Sequence, residues 1–158
     1  MRYWLMKSEP ADCSIDDLSR LPDQTVAWYG VRNYQARNFM RDTMREGDEA
    51  FFYHSSCAIP GIAGRVRIAS PAYPDATQFD AASRFFDPKS DPAQPRWLNV
   101  DVRFEEKFVL IPLTELRRHP ELATLRVLQP ANRLSITPVS PDEWQFILKR
   151  LAVPHNDN

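Results

Sequence analysis

Leu98-Asn99-Val100-Asp101-Val102-Arg103-Phe104 alternates without a break. In an extended chain Leu98, Val100, Val102 and Phe104 fall on one side and Asn99, Asp101 and Arg103 on the other. That is the period-two pattern of a strand with one buried face, and it continues towards Ile111. Working outward, shorter extended patterns occur at Tyr3 to Lys7, Thr25 to Trp28, Glu49 to Tyr53, Ile62 to Ala69 and Arg133 to Val139. Helical signals are inserted between them with no regular strand–helix alternation. The pattern predicts an α+β fold, a curved sheet or small mixed β-barrel with flanking helices, and not a doubly wound parallel sheet.

Two helices are well signed. Asn33 to Arg45 places Ala36, Phe39, Met40, Thr43 and Met44 on one face, and Gly47 closes it. Near the end, Ser140, Pro141 and Glu143 occupy the N-cap, first and third positions of a capping box, with Val139 and Trp144 placed for a hydrophobic staple. Trp144, Ile147, Leu148 and Leu151 then share a face. Ser14 is placed to cap a short helix carrying Asp16 and Asp17 in its first turn. Pro71 to Pro95 reads as a long irregular stretch holding Tyr73, Phe79, Phe85 and Phe86; such loops are functional or packed by their own side chains.

With 158 residues, 14 prolines, 4 glycines and no repeats, the chain reads as one domain over residues 1–152, followed by a disordered tail at 153–158. No apolar run approaches the roughly 20 residues that span a bilayer, and the start lacks a signal peptide, so the cytoplasm is expected and no membrane partner. Cys13 and Cys57 form no close pair, and His54, His119 and His155 are scattered, so neither a metal nor a disulfide is expected. Phosphate-cradling, dinucleotide and zincin motifs are absent, and no cofactor is expected. The formal net charge of −1 excludes a protein that coats duplex through overall charge; nucleic-acid contact needs a local patch.

Such a patch is suggested by Trp28 to Arg45. Arg37, Arg41 and Arg45 recur every four residues, with Arg32 and Asn33 just before. The plain alternative is a solvated face whose arginines pair with Asp42, Glu46 or Glu49. The neighbouring Trp28 and Tyr29 favour contact with a base, because an aromatic face, an amide and a guanidinium together can hold one that is splayed out. His54 and Cys57 invite a nucleophile–base reading, but residues near each other on a strand point to different faces, and a strand end is the better reading.

The motifs KSEP (Lys7 to Pro10), GVRNYQARN (Gly30 to Asn38), FFYHS (Phe51 to Ser55), FDPKS (Phe86 to Ser90), PRW (Pro95 to Trp97) and RLSITPV (Arg133 to Val139) resemble the EVE-domain family, in its order and over roughly residues 2 to 151. The resemblance implies a PUA-like fold related to YTH and ASCH domains. It also implies a nucleic-acid partner, DNA or RNA, whose modified base, such as 5-methylcytosine or 5-hydroxymethylcytosine, is flipped into an aromatic pocket without catalysis. By those motifs the pocket is expected from Ser8, Trp28, Arg32, Asn33, Tyr53, His54 and Ser55. Arg37, Arg41, Arg65 and Lys89 are the phosphate-binding candidates, with Arg32 beside them. Two alternatives stand beside this: an ASCH-like hydrolase of a modified nucleoside acting through Lys7 and Glu9, and a protein-interaction module.

Overall fold

The structure, a computed structural model, describes residues 1–155. Six strands form one mixed sheet: β1 (Tyr3–Ser8), β2 (Thr25–Ala27), β3 (Glu49–His54), β4 (Gly61–Ile68), β7 (Asp101–Pro112) and β8 (Ile136–Val139). They lie in the order β2-β7-β4-β3-β1-β8. Only β1 and β3 run parallel; the other pairs are antiparallel. The fold is thus α+β as expected, and of the two forms envisaged the sheet takes the open one. β2 and β8 are its edges, so no barrel closes.

The alternation of β1 explains the layering. Trp4 and Met6 join Phe52, Val66, Ile68, Val102 and Trp28 in one core, while Leu5 joins Phe51, Tyr53, Ile62, Phe108 and Trp144 in a second. The sheet is therefore buried on both faces. Helix α1 (Ile15–Arg20) and helix α2 (Tyr34–Asn38) contribute Ile15, Leu18 and Ala36 to the first core. The short helix α3 (Leu113–Leu116) and helix α4 (Pro141–Phe146) cover the second. Both predicted N-terminal signals are present. Ser140 and Glu143 form the reciprocal capping box of α4, and Ser14 and Asp17 form one at α1.

Three elements depart from the sequence pattern. The extended run from Leu98 is interrupted at Val100: Leu98–Asn99 form β6, paired with the two-residue β5 (Tyr73–Pro74), and β7 begins at Asp101. Helix α2 is followed by a π-helical turn, Phe39–Thr43, whose last bond runs from the Met44 amide to the Phe39 carbonyl (2.8 Å). The wider turn breaks the four-residue spacing, so Arg37, Arg41 and Arg45 do not form one continuous stripe. The expected tail begins ordered: the Val109 amide donates to the Val153 carbonyl (2.8 Å) and the His155 amide to the Lys107 carbonyl (3.0 Å). Residues 153–155 thus run along β7, and residues 156–158 of that expected tail lie outside the described residues. No helix of the described residues is long and apolar enough to cross a membrane.

Candidate nucleic-acid interface

Strand β1 ends at Ser8, and the chain turns sharply through Glu9, whose carbonyl accepts from both the Asp12 and the Cys13 amides (2.9 Å each). The Ser8 hydroxyl closes this turn by donating to the Cys13 carbonyl (2.6 Å). Opposite stands the end of β2, where the Trp28 amide donates to the Val100 carbonyl (2.8 Å). The third wall is the loop between β5 and β6. These segments enclose a cleft of about 410 Å³, within the range of small-ligand sites. Lys7, Ser8, Glu9, Asp12 and Cys13 line one side, Val26 to Tyr29 the second, and Arg84 with Phe85 the third. A larger groove of about 740 Å³ runs beside β8 and contains none of these residues.

Buried polar side chains hold the third wall. Asp75, with no exposure, accepts from the Gly30 amide (2.8 Å), the Thr77 amide (2.8 Å), the Thr77 hydroxyl and Arg32 Nη1 (3.0 Å). Burial pushes its carboxyl up, but these bonds together outweigh burial and hold it below the usual value. The equally buried Gln78 ties the loop to Trp97 through both its amide atoms.

The same network decides the role of Arg32. Its Nε and Nη2 donate to the Phe85 carbonyl, Nη1 to Val31 and Asp75, and Nη2 also to the Thr77 hydroxyl. All five donors of a guanidinium are occupied, so Arg32 fastens the loop and has none left for a phosphate. Asn33 is the N-cap of α2, its Oδ1 accepting from the Ala36 amide (3.1 Å), and it does not line the cleft.

Of the seven expected pocket residues, Ser8 and Trp28 line the cleft. Tyr53 packs in the second core, on the far face of the sheet. His54 Nε2 accepts from the Ile15 amide (3.1 Å), capping α1, and burial lowers its pKa although Asp16 and Asp17 pull the other way. Ser55 extends the β1–β3 pairing through its amide, which donates to the Ser8 carbonyl (3.0 Å). Cys57 is exposed and His54 is engaged at α1, so they make no nucleophile–base pair.

The phosphate candidates are dispersed. Arg37 donates to the Arg96 carbonyl and to Asn38. Arg41 pairs with Asp42, and Arg65 with Glu49 and Glu106. Lys89 is exposed on the loop. Among the polar and aromatic residues of the cleft, the sequence reading did not assign Asp12, Cys13, Arg84 and Phe85 to the site. Burial raises the Cys13 thiol, which keeps it protonated near neutral pH. Phe85 had a signal, an aromatic in a long loop; Arg84 had none.

Trp28 is 8% exposed and meets Phe52 edge-on (5.6 Å, 87°). Tyr29 and Phe85 meet at the rim (5.8 Å). Lys7 is half-buried, and burial lowers its pKa.

The EVE domain family model matches residues 2–150. The chain belongs to the EVE domain family. Human thymocyte nuclear protein 1 is 45% identical over 92% of this EVE domain and 72% of its own length. The crystal structure of the human THYN1 protein in complex with DNA containing 5-methylcytosine superposes with a TM-score of 0.89, at 44% identity over 94% of this chain and 96% of that one. A Pseudomonas putida protein of known crystal structure gives a TM-score of 0.88, with 48% identity over 92% and 97% of the two chains. The six-stranded open sheet with flanking helices matches the PUA-like EVE structures.

Proposed function

We propose that this EVE domain reads a modified base in DNA, holding it in the cleft between the end of β1, the end of β2 and the Arg84–Phe85 wall. The observation that carries the reading is the set of cleft groups left without a protein partner. The Ser8 hydroxyl, the Cys13 thiol and Asp12 have partners in the protein. The Lys7 ammonium, the Glu9 carboxylate and the Trp28 indole N–H have no hydrogen-bond or ion-pair partner among the described residues. A carboxylate accepts from an exocyclic amino group, as in cytosine, and donors serve its ring nitrogen and carbonyl oxygen. Thymine puts a carbonyl where cytosine carries the amino group, which repels the Glu9 carboxylate, and leaves it only the ring N3–H to accept from. The human relative crystallised with 5-methylcytosine DNA supports the same class of ligand.

Trp28, Val26 and Ala27 supply the apolar wall. Base–aromatic stacking contributes about 1–3 kcal/mol, and extruding a paired base costs a few kcal/mol, so the two roughly offset each other. A methyl group adds about 0.8 kcal/mol by transfer from water and about 1–3 kcal/mol in a close-fitting pocket. Titrating labelled duplexes carrying cytosine, 5-methylcytosine, 5-hydroxymethylcytosine or thymine at one position tests the reading. A preference for a modified cytosine that disappears in Glu9→Gln and Lys7→Met, with folding intact, is expected. Equal affinity for all four duplexes in the wild type removes the reader.

A second reading, hydrolysis of a modified nucleoside, draws on the lowered pKa of Lys7 beside Glu9 in one cleft. Its test is turnover of N4-acylated cytidine and loss of that turnover in Lys7→Ala.

A further inference from the structure

If stacking and extrusion roughly balance, affinity for a nucleotide in the cleft must come from its phosphates. None of the arginines read from the sequence stands ready for them: Arg32 has every donor occupied, Arg37 and Arg65 hold acceptors of their own, and Arg41 pairs with its neighbour. One guanidinium does lie at the cleft. Arg84 belongs to the loop wall and Asp12 to the β1 turn, and Arg84 Nη2 meets Asp12 Oδ2 at 2.8 Å. Both residues line the cleft, so the pair spans its mouth from one wall to the other.

Three features suit this pair to an exchange of partners. Both side chains face solvent, at 66% and 48% exposure, so exchanging one partner for another leaves no charge stranded in the interior. The Arg84 guanidinium lies over the Phe85 ring (4.7 Å), which fixes its stem at the rim whichever anion it holds. And the loop behind it is pinned by Asp75 and Gln78, so the guanidinium is presented from a rigid wall. A carboxylate and a phosphate present the same paired-oxygen geometry to an arginine.

We propose that Arg84 is the phosphate-binding residue of the cleft and that Asp12 occupies it as an internal stand-in for the phosphate. The ligand class is the backbone phosphate beside the extruded nucleotide. The inference rests on the reader function above. Entry of the nucleotide transfers Arg84 from Asp12 to the phosphate, with no covalent change. Asp12 thereby opposes binding: it competes for the guanidinium, and it leaves an uncompensated carboxylate beside the bound strand.

The two partners of one ion pair are thus expected to have opposite effects. In titrations of a 5-methylcytosine duplex at several salt concentrations, Arg84→Ala weakens binding several-fold and lowers the slope of log affinity against log salt by about 0.9. Asp12→Asn tightens binding. The gain shrinks when Asp12→Asn is combined with Arg84→Ala, because no guanidinium is left to release and only the carboxylate's repulsion of the strand is removed. Thermal unfolding of all three variants stays near wild type. The proposal is overturned if Arg84→Ala leaves affinity and slope unchanged. It is also overturned if Asp12→Asn weakens binding, or if its gain is just as large without Arg84, which would be a general charge effect. Loss of the inference alone is recognisable, because the wild type would still prefer the modified duplex; a wild type with no preference removes the reader reading and this inference with it.

Discussion

A β-carbon on Gly30 would come within 2.7 Å of Cζ of Phe85. Gly30 also adopts φ +84, a left-handed conformation that side chains resist. Its amide is held by Asp75. The glycine therefore lets the cleft wall seat against the chain just before α2. Gly30→Ala is expected to lower stability by about 1–3 kcal/mol and to push Phe85 out of place. Urea unfolding measures the first effect. A loss of DNA affinity larger than the stability change alone can explain measures the second.

Arg32→Lys separates fastening from phosphate binding. Lysine keeps the charge but offers three donors where the guanidinium makes five bonds, four of them to the loop. Carbonyls and the Thr77 hydroxyl lose partners, and stability should fall by about 1–3 kcal/mol. The salt dependence of DNA binding should not change, because the guanidinium reaches no phosphate. Arg32→Gln, which removes the charge, should likewise leave the slope unchanged; a shallower slope in that variant would return Arg32 to the interface.

Asn33 is the cap of α2 and not a reader of the base. Asn33→Ala is expected to cost about 1 kcal/mol, and Asn33→Ser to restore most of it, since serine also caps. Neither should alter the ratio of affinities for modified and unmodified duplex. A serine variant that folds normally and loses that ratio contradicts this assignment.

His54 predicts a pH dependence. Its folded pKa lies below the ordinary value because burial disfavours the imidazolium, and its Nε2 must stay unprotonated to accept the Ile15 amide. The unfolded chain therefore binds the proton more readily than the folded one. The resulting stability is complete above about pH 6.5 and is lost as pH falls towards the lowered folded value. Denaturant midpoints measured between pH 7.5 and 5.5 should fall more steeply for the wild type than for His54→Gln, which does not titrate. Parallel curves would show that His54 stays outside this linkage.

Local chemistry was legible in the sequence and distant chemistry was not. The capping box at Ser140 and the N-cap at Ser14 depend on contacts three residues apart and were readable directly, as was the alternation of Val66 and Ile68. Ser8 and Trp28 were named through the resemblance to the EVE-domain family, and the strand ends that carry them meet at the cleft. Tyr53 could have been excluded: the alternation that puts Phe52 in the first core puts Phe51 and Tyr53 in the second. The role of Arg32 was beyond reach, because its acceptors Asp75, Thr77 and Phe85 lie 43 to 53 residues away. Arg84 is farther still from its partner, 72 positions along the chain, with no pattern marking either. The π-turn after α2 likewise leaves no periodic trace, since one widened turn shifts every later position.

The burial of the sheet on both faces divides labour within the molecule. Every cleft residue that joins a core joins the first, while in the second Tyr3 and Phe51 each stack on Trp144. The second core holds no cleft residue, so a lineage can exchange the layer beneath α4 without touching the cleft, whereas changes to the cleft also reach the first core. For protein engineering, the side under α4 is where a sturdier version can be sought without redesigning what it recognises.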